Sequence, residues 1–181
     1  MTRVKLVRVP SDEDLMWVKE CTLVTVGKEP ATRPTTEWLH KLLKARHSPI
    51  REMWYHFRLE DIPYYVQTHL VRHHVEFHPY VKSQRNDRQD EYDRRKAPQD
   101  TPVTMCLSLN AEALLNLANK RLCMLADPET RSVVSTMCWL VEVQCPEFAG
   151  LLVPACEYHH ECKEMFSCGR YEKNEKADLD H

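Results

Sequence analysis

Three residues that could bind an anion recur at helical spacing in the middle of the chain. His69, Arg72 and His73 stand at positions i, i+3 and i+4 of residues 62–74, a segment whose pattern predicts a short amphipathic helix. That spacing places their side chains on one helix face. The polar run SQR follows at residues 83–85. Because a guanidinium binds phosphate through paired hydrogen bonds and hydroxyl and backbone groups can complete such a site, the segment suits an anionic, planar ligand.

The same pattern has a simpler interpretation. Basic residues on a helix face most often form a solvated surface, and the pattern alone favours that interpretation. An anion site therefore needs a second signal from elsewhere in the sequence.

The order of the motifs supplies that signal. HSPIRE, LVRHH and SQR occur in this order between residues 47 and 85. The set resembles the signature of the flavin-dependent thymidylate synthases, the ThyX family, in which Arg-His-Arg is followed by a spacer and Ser-x-Arg and is preceded by a His-x-Pro element. The matching positions are His47, Arg72, His73, Ser83 and Arg85.

A later segment, residues 110–131, resembles the second conserved block of that family. Asn110, Asn116 and Arg121 match it without a gap. In the family the two Asn-type positions contact the flavin, and the Arg binds the uracil base of dUMP and favours ionisation of its N3. A guanidinium there would stabilise the charge that makes C5 nucleophilic, so that no cysteine nucleophile is required.

The resemblance implies reductive methylation of dUMP to dTMP, with methylenetetrahydrofolate as one-carbon donor, NADPH as reductant and FAD as hydride carrier. It also implies a homotetramer whose sites are built from several subunits. The implied catalytic residue is Arg121. The implied cofactor-binding residues are His47, Arg72, His73, His74, Asn110 and Asn116. The implied substrate-binding residues are His69, Arg72, Ser83, Gln84, Arg85 and Arg121.

Four positions depart from the family pattern. His69 stands where the family usually has Gln, and His74 stands where the motif has its second Arg. Val81 replaces a Glu, and Glu112 replaces an Arg that is common in the family. The loss of the Arg removes a cation near the flavin phosphates.

The connection between the two matched blocks is also short. Typical members carry a longer helical segment there, with a further dUMP-binding arginine that Arg94 or Arg95 would have to replace. Two alternatives follow. The chain could be a flavoenzyme of the same fold that uses another pyrimidine nucleotide or one-carbon donor, or a non-catalytic nucleotide-binding homologue.

The elements that must position these residues indicate an α+β fold with a small, mostly antiparallel sheet. Alternating or β-branched patterns predict strands at residues 4–9, 52–59 and 103–109. His78 and Pro79 are predicted to lie in a loop, as ligand contacts or turn residues. Residues 82–96 are dense in charge and predict an exposed or ligand-ordered loop.

Capping residues predict where the helices begin. Ser11 with Asp14, Asn110, and Asp127 before a proline are typical helix starts. A further helix is predicted at residues 36–46, and Asp61 is the predicted cap of the helix at residues 62–74. Residues 21–26 could extend the first helix or form a strand. The whole predicts one domain, residues 1–169, followed by a disordered tail at residues 170–181.

Composition excludes several classes of function. The chain has 181 residues and a net charge of −2, which gives no electrostatic case for binding nucleic acid. Only 3 glycines are present, and neither Gly-rich phosphate-binding motif occurs. No apolar run is long enough to predict a membrane span, and the charged N-terminus lacks the apolar core of a signal peptide. We therefore expect a cytoplasmic protein.

The 8 cysteines fall into two sets. Five are predicted to be core or near-core thiols: Cys21, Cys106, Cys123, Cys138 and Cys145. The other three, Cys156, Cys162 and Cys168, flank His159 and His160 and could bind zinc. Because they lack the paired C-x-x-C spacing of typical zinc sites, reduced thiols and no metal site are the favoured prediction.

Overall fold

The computed structural model describes residues 1–85, 87, 93 and 95–171. The strands are β1 (Arg3–Arg8), β2 (Trp54–Pro63), β3 (Phe77–Val81) and β4 (Pro102–Asn110). The helices are α1 (Asp12–Val24), α2 (Thr36–Lys44), α3 (Tyr64–Leu70), α4 (Ala111–Arg121), α5 (Pro128–Gln144) and α6 (Ala155–His159). Two 3-10 turns, Ser48–Glu52 and Pro146–Phe148, complete the elements of the described residues.

The strands form one antiparallel sheet in the order β1-β2-β4-β3. Buried and more exposed residues alternate along β2 and β4, so one face of the sheet packs against the helices. The predicted α+β class, a small antiparallel sheet packed with helices, is confirmed. The predicted strands at residues 4–9, 52–59 and 103–109 correspond to β1, β2 and β4.

One hydrophobic core joins the sheet to the helices. Leu59 and Leu107 of the sheet pack in the same buried cluster as Val134 and Met137 of α5, and none of the four is more than 1% exposed. Burying a side chain of this size stabilises the fold by about 1.5–3 kcal/mol. This core fixes α4 and α5, and with them the elements around the candidate site.

The predicted helix starts at Ser11, Asn110 and Asp127 are confirmed. At α1 the Ser11 hydroxyl accepts from the Asp14 N–H, and the Asp14 carboxylate accepts from the Ser11 N–H at 2.8 Å. α1 then runs to Val24, which resolves the choice left open for residues 21–26 in favour of the helix. These starts depend on residues close together in the sequence, which is why the pattern predicts them well.

The start of the helix predicted at residues 62–74 is wrong. α3 begins only at Tyr64, because Ile62 and Pro63 continue β2 and pair with the start of β4. Asp61, the predicted cap, lies within β2 with a φ of 55°, where the pairing register shifts. Pairing with a distant strand overrides the local helix pattern at this point.

The end of that helix is also shorter than predicted. Val71 is the C-cap of α3, so Arg72, His73 and His74 lie beyond the helix. His69, Arg72 and His73 therefore do not share a helix face. The turn after α3 leads instead into β3, which the sequence analysis missed. His78 and Pro79 belong to this strand rather than to a loop, and its edge position tolerates the proline.

The cysteines predicted to be in the core divide by position. Cys138 and Cys145 are buried, whereas Cys21 and Cys123 are half-buried. Cys106 is exposed because it lies on the face of β4 that the helices do not cover, so its prediction is wrong. Within the described residues, all the cysteines are free thiols.

Some predictions fall outside the described residues. These are Arg94 and, within the predicted tail, residues 172–181. Among the helices that the structure does describe, none is both long and apolar enough to cross a membrane.

We predict that Leu107→Ala lowers the free energy of unfolding by about 2–5 kcal/mol, because the truncation leaves a cavity in the core. The neighbouring Cys106→Ala is the matched control. It removes a side chain from the open face and should change stability by no more than about 0.5 kcal/mol. Denaturant unfolding of both variants measures the difference, and equal destabilisation would contradict the packing described here.

Candidate functional site

The last turn of α4 meets the turn that follows α3. Arg121 Nε donates to His73 Nε2 at 3.1 Å, and Arg121 Nη2 donates to the backbone carbonyl of His69 at 2.7 Å. One guanidinium thus joins two segments of the chain that the sequence analysis had connected only by resemblance. A tertiary contact, rather than a shared helix face, brings His69 and His73 to Arg121.

His73 is held as a neutral imidazole. Burial, together with the nearby charges of Arg121 and His74, lowers the pKa of His73 to about 4. Because its Nε2 accepts from Arg121, the ring proton is assigned to Nδ1. The ring also packs against Phe77, with the ring centroids 5.7 Å apart. His73 therefore orients the guanidinium without adding a charge beside it.

Arg121 and Arg72, which we call the guanidinium pair, are near enough for their charges to interact; Arg121 is half-buried and Arg72 is exposed. Burial lowers the pKa of Arg121, and the charge of Arg72 lowers it further, although an arginine stays protonated at neutral pH. Most other arginines of the described residues lie within 4 Å of a carboxylate, but neither of these two does. Two like charges without a counterion favour the binding of an anionic or strongly polar group.

His69 faces away from this pair, towards the start of α5. Its Nδ1 lies 2.9 Å from the Thr130 hydroxyl, which donates to Asp127 Oδ2 at 2.8 Å. Since that hydroxyl proton is used on the carboxylate, the hydroxyl must accept from His69, and Nδ1 carries the proton. His69 Nε2 is therefore left as an acceptor in the neutral ring. Its backbone carbonyl, not its side chain, contacts Arg121.

A second group of predicted residues lines a separate cavity. Ser83, Gln84 and Arg85 lie along a polar cavity of about 590 Å³, together with Tyr64 and Gln67 of α3. Its lining also includes Lys82 and Arg95. Arg85 pairs with Asp87 at 2.8 Å, and the backbone N–H of Arg85 donates to the Ser83 hydroxyl at 3.2 Å. Cations and hydroxyl groups around one cavity can hold a phosphate.

Gln67 was missed by the sequence analysis. It is a buried polar side chain, 8% exposed, that lines this polar cavity from the first turns of α3. Its position within an apolar helical pattern was the available signal, because an uncharged polar residue on a buried face needs a hydrogen-bonding partner.

A third group surrounds Asn116. Arg46 Nη1 donates to Asn116 Oδ1 at 2.7 Å, and Arg46 Nη2 donates to Asn119 Oδ1. The guanidinium also lies over the Tyr158 ring, with its carbon 4.7 Å from the ring centroid. Arg46 Nε is buried and has no partner. Arg46 precedes the matched His47, but nothing in its own spacing indicated a contact with α4.

The two polar atoms of the Asn110 side chain differ in their contacts. Its Oδ1 caps α4 by accepting from the Ala113 N–H at 3.0 Å, while its Nδ2 is buried and has no hydrogen-bond partner among the residues that the structure describes. A buried amide donor without an acceptor costs about 1–3 kcal/mol, so Nδ2 is a candidate for a ligand contact. In the first turn of α4, Glu112 pairs with Arg51 at 2.6 Å, which neutralises the carboxylate at the position where an Arg is common in the family.

The remaining predicted residues are exposed. His47 directly precedes the 3-10 turn Ser48–Glu52, and His74 follows the turn after α3. The structure thus brings His69, Arg72, His73, His74 and Arg121 together. In one chain it places the polar cavity of Ser83, Gln84 and Arg85 apart from them, and Asn116 with Arg46 in a third position.

Comparison with known proteins gives a likeness of structure only. No family model matches the chain, and no curated protein matches it by sequence. Among solved structures, the UMP/dUMP methylase PolB from Streptomyces cacaoi, bound with 5-Br dUMP, has a TM-score of 0.63 and 16% identity. Thymidylate synthase X (ThyX) from Helicobacter pylori, with FAD and dUMP, has a TM-score of 0.63 and 14% identity.

Both likenesses cover 84% of this chain and 97% of the other chain. The fold is ThyX-like. Because the identities are low, the likeness establishes the fold and leaves the chemistry to be argued from the residues.

We predict that stability falls as the pH is lowered from about 6.5 towards the His73 pKa of about 4. In this window the unfolded chain binds a proton that the folded chain does not, so protonation favours unfolding. His73→Gln should remove this part of the pH dependence. Denaturant unfolding at pH values of about 7 and about 5 measures the effect. An NMR titration in which His73 protonates at its ordinary value would contradict this account.

Proposed function

We propose that the chain is a flavin-dependent enzyme that methylates dUMP to dTMP, with FAD as its cofactor. The observation that carries the proposal is the guanidinium pair. Arg72 and Arg121 come from the two matched sequence segments, the charge of Arg72 lowers the pKa of Arg121, and neither has a carboxylate partner among the described residues. The fold that carries them is shared with two proteins whose structures hold dUMP or its 5-bromo form.

Arg121 is proposed to act on the uracil base. Its guanidinium is partly buried and is oriented by His73 and by the His69 carbonyl, so it is preorganised before a ligand binds. A preorganised cation of this kind stabilises negative charge as it develops on the base and so favours nucleophilic attack from C5. Arg72, the second cation of the pair, would add to this stabilisation.

The polar cavity is proposed to hold the phosphate and sugar. Arg85 supplies a guanidinium and Ser83 a hydroxyl, while Gln84 adds an amide. Release of Arg85 from the exposed Asp87 would free its guanidinium for the phosphate. A phosphate that bears a double charge competes well for an arginine that is 62% exposed in its ion pair.

FAD would be held by the groups that the sequence matched to the family. Arg72, His73, His74, His47, Asn110 and Asn116 are the proposed contacts. Among the described residues the buried Nδ2 of Asn110 has no acceptor, which supports a ligand that offers one there. When bound, FAD would supply hydride chemistry that no side chain can perform.

The proposal includes methylenetetrahydrofolate as one-carbon donor, NADPH as reductant and a homotetramer. Assembly is supported by the spacing of the three groups within one chain. The polar cavity with Arg85 is not lined by Arg72 or Arg121, and a second subunit is one way to complete a site that uses all three arginines.

A second candidate function keeps the flavin and changes the nucleotide. His69 stands where the family usually has Gln, and its side chain is bonded to Thr130. A neutral His69 offers only an acceptor at Nε2, whereas Gln offers both a donor and an acceptor. The PolB neighbour is a UMP/dUMP methylase. Methylation of UMP is therefore the alternative to methylation of dUMP.

Turnover assays test the proposal. FAD-loaded protein with dUMP, methylenetetrahydrofolate and NADPH should form dTMP, and Arg121→Ala should lower kcat/KM by about 100-fold or more while FAD stays bound. Arg121→Lys, which keeps the charge but loses the two directed hydrogen bonds, should retain an intermediate activity. Arg8→Ala is the matched control, because Arg8 is 60% exposed and pairs with Asp14 away from the site.

Two results would overturn parts of this account. Normal dTMP formation by Arg121→Ala would remove the role given to that residue. A parallel assay with UMP separates the candidates, because methylation of UMP with none of dUMP would favour the second and exclude the first.

A further inference from the structure

A fourth cysteine joins the three of the C-terminal segment around one cavity. Cys123, in the connection between α4 and α5, lines a cavity of about 360 Å³ together with Cys156, Cys162 and Cys168. We call this the thiol cavity. The spacing of the last three cysteines gave no reason to include Cys123, which lies far from them in the sequence. The fourth thiol favours a zinc site over reduced thiols, because four thiolates complete a tetrahedral ligand set.

The segment that carries three of these thiols lacks a core of its own. No residue from 155 to 171 is buried, and Phe166 is 76% exposed. Surface pairs such as Lys120 with Glu164 and Arg170 with Glu157 connect it to itself and to α4. Such pairs contribute little, whereas ordering a segment of this length opposes folding strongly. Short segments without a core are commonly held by metal ions or disulfides.

The surroundings of the thiols suit an anionic metal centre. Arg46, Lys120 and Lys163 line the same cavity. A zinc ion with four thiolates carries a net negative charge, which these cations would offset. Cys168 sits in a hydrogen-bonded turn in which the Gly169 N–H donates to the Ser167 hydroxyl at 3.1 Å, with Gly169 at a φ of 83°. Glycine adopts that conformation without strain.

We propose that the thiol cavity is a structural zinc site, with Cys123, Cys156, Cys162 and Cys168 as the ligands. Zinc binds thiolates tightly, needs no further ligand beyond four, and does no redox chemistry of its own. It would fasten the C-terminal segment to the end of α4, next to the turn that carries Arg121. The thiol cavity is not lined by Arg72, Arg121 or Arg85, but Arg46 and Asn116 of the third group do line it.

Binding would close the segment around the ion. As the described residues stand, no three His, Cys, Asp or Glu side chains converge closely enough to hold a metal. The four cysteines line an open cavity, and a segment without buried residues can move inward without disrupting the core. Metal binding and ordering of the segment are therefore one event, as in small zinc-dependent folds.

Metal analysis of the full-length protein tests the proposal. After production in zinc-supplemented medium and passage over a chelating column, elemental analysis should find about one zinc ion per chain. Cys123→Ser and Cys162→Ser should lower the zinc content at least about tenfold. Cys106→Ser is the matched control, because it removes an exposed thiol outside the cavity and should leave the zinc content unchanged.

Thiol protection gives a second measurement that does not depend on how the variants fold. Alkylation of wild-type protein followed by peptide mass spectrometry should show four cysteines that react only after a strong chelator is added, and these should be the four of the cavity. A wild-type zinc content as low as that of Cys162→Ser would overturn the proposal. Cys138 and Cys145 are buried and should stay protected with or without the chelator. Chelator-dependent protection of cysteines outside the cavity, or iron with acid-labile sulfide in place of zinc, would overturn the proposal as well.

Discussion

The account depends on one hydrogen-bonded contact, between the guanidinium of Arg121 and the neutral ring of His73. It joins the end of α4 to the turn after α3 and places the charge of Arg121 near that of Arg72. Arg121 is half-buried and Arg72 is exposed, and like charges are unfavourable unless solvent or a counterion compensates them. Within the described residues that compensation does not come from a carboxylate, so the pair is suited to a ligand rather than to an ion pair within the chain.

The rest of the fold holds this contact in place. The Asn110 cap fixes where α4 leaves β4, and the buried core fixes the direction in which α4 runs. From the other side, the chain of hydrogen bonds from Asp127 through Thr130 to His69 ties α3 to the start of α5. Arg121 then bonds to the backbone of His69. These contacts therefore fix the position of Arg121, although its charge and that of Arg72 repel each other.

The sequence predicts the features that depend on near neighbours and fails at those that depend on distant ones. The caps at Ser11, Asn110 and Asp127 follow from adjacent residues and were predicted at the right positions. The start of α3 was not, because the pairing of Ile62 and Pro63 with β4 extends β2 beyond its local pattern. No single-sequence pattern carries the information about that pairing.

The same distinction between predictable and unpredictable features holds for the residues of the candidate site. Resemblance to a family predicts that Arg72, His73 and Arg121 share one site. In the structure Arg121 contacts His73, although the helix face predicted for His69, Arg72 and His73 is absent. The contact of Arg46 with Asn116, and the approach of Cys123 to the C-terminal thiols, had no sequence signal. Both arise from packing between segments far apart in the chain. Motif spacing therefore could not have predicted either contact.

The visible absorption spectrum of the purified protein tests the central claim most directly. After incubation with FAD and removal of free cofactor, the account predicts that the protein keeps the yellow flavin bands. Addition of dUMP should then shift those bands, because the nucleotide would lie beside the flavin and the guanidinium pair. A protein that stays colourless after incubation with FAD, or a flavin spectrum that saturating dUMP leaves unchanged, would contradict the account.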